Sequence, residues 1–305
     1  MILKQFDETA KTKRASPPPF MKRYDHIEGS GVLVFDSPHS GTAYPEDFAH
    51  VCDRQLLRRA EDTHVERLFE FAPELDATFI GARFPRSYLD VNRASDDIDV
   101  SLFAGPWPHP VRPSAKVRLG KGLVWRTVDD GTQIYGGPLA VVDVQRRIST
   151  CWHPYHAALQ EALAKTMNRH GRAIHINCHS MPAVAAAFST EFPGEAHADF
   201  VLGDRDHTTA APELTAWMAA YLQQRGYSVS INHPYKGVEL VRRNGNPDAG
   251  CHSVQFEINK RLYMDEATLE LHDGFEPLQA MLQAMFVQLQ SLQLPGPAAA
   301  AAPRP

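Results

Sequence analysis

Two histidines and one glutamate stand where a hydrolytic metal site could be assembled. His39 follows the apolar run Val32–Phe35, His179 follows Ala173–Asn177, and Glu257 lies near the end of the alternating stretch His252–Ile258. Each run reads as a strand, so all three side chains are expected at strand ends, the edge of an open α/β sheet where ligands bind. Two imidazoles and a carboxylate with a fourth position open are the ligand set of a catalytic zinc site, and hydrolysis needs a further carboxylate as general base. If Glu257 is that base, another carboxylate must join the histidines. The segment Glu61-Asp62-Thr63-His64, in a stretch of helical pattern, supplies candidates.

The elements that must position these groups follow from hydrophobic periodicity. Residues 46–75 are mostly helical in pattern, and Thr78–Ile80 is a short strand. Residues 94–138 are rich in Asp, Pro and Gly, which suits binding loops or a lid. Residues 141–170 are helical, divisible at Pro154 and closed by Gly171. Phe200–Leu202 and Ser228–Ile231 read as strands around a helix at Pro212–Arg225. A polar loop is expected from Asn232 to Gly250, and an amphipathic helix from Phe275 to Leu294. Strands alternating with helices predict an α/β three-layer sandwich, with a mixed, largely parallel sheet and helices on both faces. Residues 1–22, with a Pro17–Pro19 run, read as a poorly ordered arm, residues 23–294 as a single catalytic domain, and the Pro/Ala-rich 295–305 as a disordered tail.

Composition narrows the function classes. A net charge of -5 over 305 residues gives no electrostatic case for nucleic acid or an anionic membrane. Cys52, Cys151, Cys178 and Cys251 form no CxxC pair, which fits a reducing compartment. The N-terminus has no apolar signal core and no window is long enough to span a bilayer, so a cytoplasmic location is expected. A serine or cysteine amidase is the rival chemistry, through Ser40, Ser180 or Cys178. Neither serine lies in a G-x-S-x-G elbow, because Pro38 and Cys178 stand where the first glycine belongs. A non-catalytic binder of metal or acidic ligands is the rival from another class.

An ordered series of motifs narrows the reading further: SPHSGTAYP at 37–45, EDTHVERLF at 61–69, RSYLDVNRA at 86–94, HPYHAAL at 153–159, CHSMP at 178–182 and QFEINKRLYMDE at 255–266. In this order the chain resembles the N-formylglutamate amidohydrolases, a branch of the zinc carboxypeptidase-like hydrolases, over roughly residues 30–290. The resemblance implies one zinc per chain on His39, Asp62 and His179, and Glu257 as general base toward the water that zinc acidifies. It further implies Arg86 as the oxyanion-stabilising arginine and Asn92-Arg93 as the pair that holds a substrate carboxylate. Lys236 and Arg242, with Arg243 as neighbour, are the candidates for a second carboxylate. The implied substrate is a small N-acyl amino acid with a free carboxylate, N-formylglutamate in the family case. Residues 122–139 look like a broader subgroup of the family than the histidine-degradation enzymes, so another N-acyl amino acid or a small peptide is the alternative. His153 and His156 are expected at a helix start, His197 and His207 at the surface, and Asp204 could orient a ligand histidine.

Overall fold

A computed structural model of the protein describes residues 23–186 and 192–294. The expected N-terminal arm and C-terminal tail lie outside the described residues. Seven strands form one sheet: β1 (Tyr24–Ile27), β2 (Leu33–Ser37), β3 (Thr78–Ala82), β4 (Ala173–Met181), β5 (Phe200–Gly203), β6 (Val229–Ile231) and β7 (Cys251–Asn259), in the order β1-β3-β2-β4-β7-β5-β6. The β3-β2-β4-β7 centre is parallel, β1 and β5 run antiparallel to their inner neighbours, and β6 is parallel to β5. The mixed, largely parallel α/β sheet is therefore as expected, with one edge strand, β1, that the sequence pattern did not reveal.

Side chains on a strand alternate between faces, and here alternation sorts them by chemistry. Leu33 and Phe35 of β2, Ile174, Ile176 and Cys178 of β4, and Val254, Phe256 and Ile258 of β7 join one apolar core. That core is closed by α2 (Val65–Leu68), α6 (Pro212–Gln223) and α8 (Phe275–Leu289), with Phe286 of α8 edge-on to Phe35 at 4.9 Å between ring centroids. The intervening residues are polar and buried: Asp36, His175, Asn177, His179, Ser253, Gln255 and Glu257. They occupy the opposite face, where a second core is built from Val34, Ile80, Tyr155, Leu159 and the segment around Leu123–Trp125. Residues 120–128 are thus packed covering, while much of 100–118 and 129–138 stays exposed.

The helical stretch 141–170 is one rod on this second face. It comprises α4 (Val141–Arg147), a π turn at Ile148–Trp152 and α5 (His153–His170), ended by Gly171 at φ 68°. The break falls just before Pro154, which takes the first turn of α5, where its missing N–H costs no helical bond. One turn of this rod ties the sheet to its rim. Tyr155 donates to Asp36 Oδ2 (2.7 Å), while Trp152 Nε1 donates to Arg93 O (2.9 Å) and His156 Nε2 to Val91 O (2.8 Å). His153, its neighbour in the HPYH motif, is exposed.

His156 is 2% exposed and stacked on Trp152, and burial pushes its imidazole down to about 4. The folded state thus holds it neutral while the unfolded chain takes up a proton near pH 6.5. This contribution to stability is complete above pH 6.5 and is lost as pH falls toward 4, by about 3 kcal/mol. Urea unfolding across that window should show the loss, and His156→Gln should flatten it; an equal slope in the variant would refute the assignment.

Candidate metal-centred active site

The polar face of the central strands fixes the first histidine. Asp36, with no exposed surface, accepts from His175 Nε2 (2.8 Å) and Asn177 Nδ2 (2.8 Å) at Oδ1 and from Tyr155 at Oδ2. Asn177 is thereby oriented with its carbonyl oxygen toward His179, where it accepts from Nε2 at 2.8 Å. That bond leaves the lone pair of His179 Nδ1 directed at Asp62 Oδ2, 2.8 Å away. His39 is set in the same way: Nε2 donates to Asp90 Oδ1 (2.7 Å), leaving buried Nδ1 with no hydrogen bond, 3.4 Å from Asp62 Oδ2. Carboxylate or amide partners that fix the tautomer of a ligating histidine are a regular feature of metal sites.

Asp62 completes the cluster from a turn, not from the expected helix. The chain leaves α1 (Arg54–Arg59), and Asp62 N donates to His39 O (3.1 Å) before α2 begins. His64 takes a left-handed φ of 67°, which interrupts helical geometry, and its Nε2 donates to Leu269 O. Glu61, the neighbouring carboxylate, faces elsewhere: Tyr44 donates to its Oε1 (2.6 Å) and Arg58 pairs with its Oε2 (3.2 Å). Burial alone would push the Asp62 carboxyl up, but Arg86 and the two histidines outweigh it and hold it well below the usual carboxylate range.

One ligand atom each from His39, Asp62 and His179 lies within 4.8 Å of the others. Two imidazole lone pairs and an ionised carboxylate facing one another, one of them with no donor, form a donor set that fits a divalent cation. The residues present thus suit a metal.

The remaining candidates divide by position. Glu257 pairs with His179 in the β4–β7 register, so both side chains project from the same face. Its Oε1 accepts from Gln255 Nε2 (2.8 Å); burial, aided by the Asp62 charge, pushes its carboxyl up against the pull of His179 and Arg86. Arg86 bridges Asp62 Oδ1 (3.2 Å) and Asp90 Oδ2 (3.4 Å) and lies over the Trp125 ring. Asn92 Oδ1 accepts from Leu240 N (2.9 Å), and its Nδ2 lies 3.1 Å from His179 Nε2, a contact without a hydrogen bond because that nitrogen donates to Asn177. Arg93 donates to Lys121 O and Asn92 O, with its third nitrogen 3.9 Å from Asp90. Lys236 and Arg242 are not drawn into this cluster: they are more than half exposed and paired with Asp206 and Glu239. Arg242 and Arg243 ride on α7 (Glu239–Asn244), a helix of six residues within the expected polar loop, too short to leave a periodic signal.

Several residues of the site carried no signal of their own. Asp90, inside the RSYLDVNRA motif, orients His39, a role that Asp204 does not take: Asp204 binds His207, Asn232 and Thr215 instead. Tyr235 lies within the field of Glu257, Asp62 and Arg86. His197 is buried against its ring, with Nδ1 donating to Pro182 O, whereas His207 is exposed as expected. Of the segment before it, residues 187–191 lie outside the described residues. Cys178 faces the opposite core with its thiol pushed up by burial, and Ser40 Oγ meets Ser37 Oγ and the Glu66 carboxylate. Neither has a histidine placed to activate it.

Comparison with known proteins accords with this geometry. The sequence profile of the N-formylglutamate amidohydrolase family matches residues 31–264. The N-formylglutamate deformylase of Pseudomonas aeruginosa is 30% identical over 243 residues, covering 78% of this chain and 84% of that protein. That of Pseudomonas putida is 27% identical over 269 residues, covering 86% and 93%. The crystal structure of N-formylglutamate amidohydrolase from Ralstonia eutropha JMP134 superposes with a TM-score of 0.84 at 44% identity, covering 88% of this chain and 98% of that one. A gene product of Agrobacterium tumefaciens, at 18% identity and a TM-score of 0.61 over 88% of this chain and 92% of its own, shares the fold. The chain belongs to the N-formylglutamate amidohydrolase family.

Proposed function

We propose that the protein is a metal-dependent amidohydrolase that cleaves the formyl amide of N-formyl-L-glutamate to formate and glutamate. The observation that carries this reading is the convergence of His39 Nδ1, His179 Nδ1 and Asp62 beside a glutamate on the adjoining strand. The names of the relatives supply the substrate. A zinc ion on this donor set would acidify a water and polarise the formyl carbonyl.

The protein's own groups have separate tasks. Glu257, which burial makes a stronger proton acceptor than an ordinary carboxylate, takes the proton of the attacking water and returns it to the leaving amine. Arg86, held by Asp62 and Asp90, directs positive charge toward the carbonyl oxygen as negative charge develops there. Arg93, whose outer nitrogen makes no short bond, receives one carboxylate, and Asn92, accepting from Leu240 N, keeps that loop against α7. Lys236 and Arg242 could serve the second carboxylate only by leaving Asp206 and Glu239. No helix among the described residues is long and apolar enough to cross a membrane, which suits a small dissolved substrate.

Two experiments test the reading. Glu257→Gln should lower kcat for N-formyl-L-glutamate, followed by formate release, about 10²- to 10⁴-fold with unchanged far-UV circular dichroism; a variant of near-native rate would remove Glu257 from the chemistry. Exhaustive chelation should abolish turnover, and stoichiometric zinc should restore it and raise Tm. The Tm rise should vanish in His39→Ala, while activity that survives chelation would sink the metal assignment.

A further inference from the structure

A dicarboxylic substrate needs a second cation beyond Arg93, a requirement that rests on the substrate proposed above. Residues 120–134 offer one. Lys121 and Trp125 face each other across an antiparallel bridge, and the Trp125 ring has Arg86 at 4.9 Å and Lys121 Nζ at 5.3 Å from its centroid. Trp125 Nε1 donates to Asp90 Oδ2 (3.3 Å), and the Lys121 carbonyl accepts from Arg93 Nε (3.1 Å). The backbone and stem of Lys121 are therefore fixed against residues that flank the metal-ligating triad. Its ammonium extends past the ring and pairs with Asp129. Asp129 is exposed at the end of this loop, and its partner Lys121 shares the Trp125 ring with Arg86.

We propose that Lys121 selects for the side-chain carboxylate of the substrate, and that Asp129 occupies the lysine in the free protein until the substrate carboxylate replaces it. Exchange of one carboxylate for another conserves the ion pair, so the acidic substrate gains a site whose desolvation has already been met. A neutral side chain that displaced Asp129 would leave the ammonium without a counter-charge, which makes the exchange discriminate by charge rather than by size. Lys236, more than half exposed and paired with Asp206, has no comparable attachment to the Arg93 loop.

The test compares N-formyl-L-glutamate with its neutral isostere N-formyl-L-glutamine. Lys121→Gln should lower the ratio of their kcat/KM values about ten- to a hundredfold, through KM for the acidic substrate. Lys121→Arg should retain most of the ratio. Asp129→Asn should lower KM for N-formyl-L-glutamate, a change opposite in sign to that of a lost structural contact. A ratio unchanged in Lys121→Gln, with both substrates impaired alike, would overturn the assignment, as would a raised KM in Asp129→Asn. Calorimetric binding of the two compounds to the intact protein separates this inference from the proposed reaction. Binding that discriminates between them through Lys121 without turnover would refute the hydrolase and leave the lysine's role standing, and binding that does not discriminate would refute the role.

Discussion

A carboxylate with no exposed surface at the centre of the sheet governs how the site is built. Left alone, Asp36 would be expensive to keep ionised, since burying an unpaired charge costs several kcal/mol. Tyr155, His175 and Asn177 satisfy it from a helix and a neighbouring strand. Burial works against its ionisation, yet these partners prevail and its carboxyl is held below the ordinary range. Satisfying Asp36 determines which way the Asn177 amide points, and that in turn determines which nitrogen of His179 faces Asp62. The orientation of His179 is thus decided two residues further inside the protein.

The same economy recurs across the sheet. Because strand side chains alternate, one run such as Ala173–Met181 supplies Ile174, Ile176 and Cys178 to an apolar core and His175, Asn177 and His179 to a polar ladder. Parallel register with β7 then sets Glu257 beside His179 without any loop having to place it. A site carried on central strands has little positional freedom.

Much of this was legible in the sequence, and the exceptions have physical causes. The apolar run at 32–35 and the alternating stretches at 173–177 and 252–258 located the strands that carry the site, because a strand with one apolar face repeats apolar residues at every second position. The motif resemblance named His39, Asp62 and His179 together, which spacing alone could not, since Asp62 arrives from a turn set by tertiary contacts with His39 and a left-handed His64. Asp90 escaped notice because its neighbours Asn92 and Arg93 carried the motif's apparent meaning. The helix Glu239–Asn244 is one turn and a half, below the length at which periodicity can be seen. Tyr155 and His156 read as an ordinary helix start, and only their partners, Asp36 and Val91, reveal them as supports.

The single turn of α5 that reaches both Asp36 and the Arg93 loop divides the walls of the site by how freely they can vary. The wall formed by residues 90–93 is shared with the core: altering it disturbs Trp152 and His156, and through the same turn the support of Asp36. The adjoining segment, residues 120–134, is bonded to that wall through Lys121, Leu123 and Trp125 but exposes its outer end at 129–133. Diversification of substrate range within this architecture would therefore be concentrated on that outer end, where side chains can be exchanged without disturbing the bonds that orient His39 and His179.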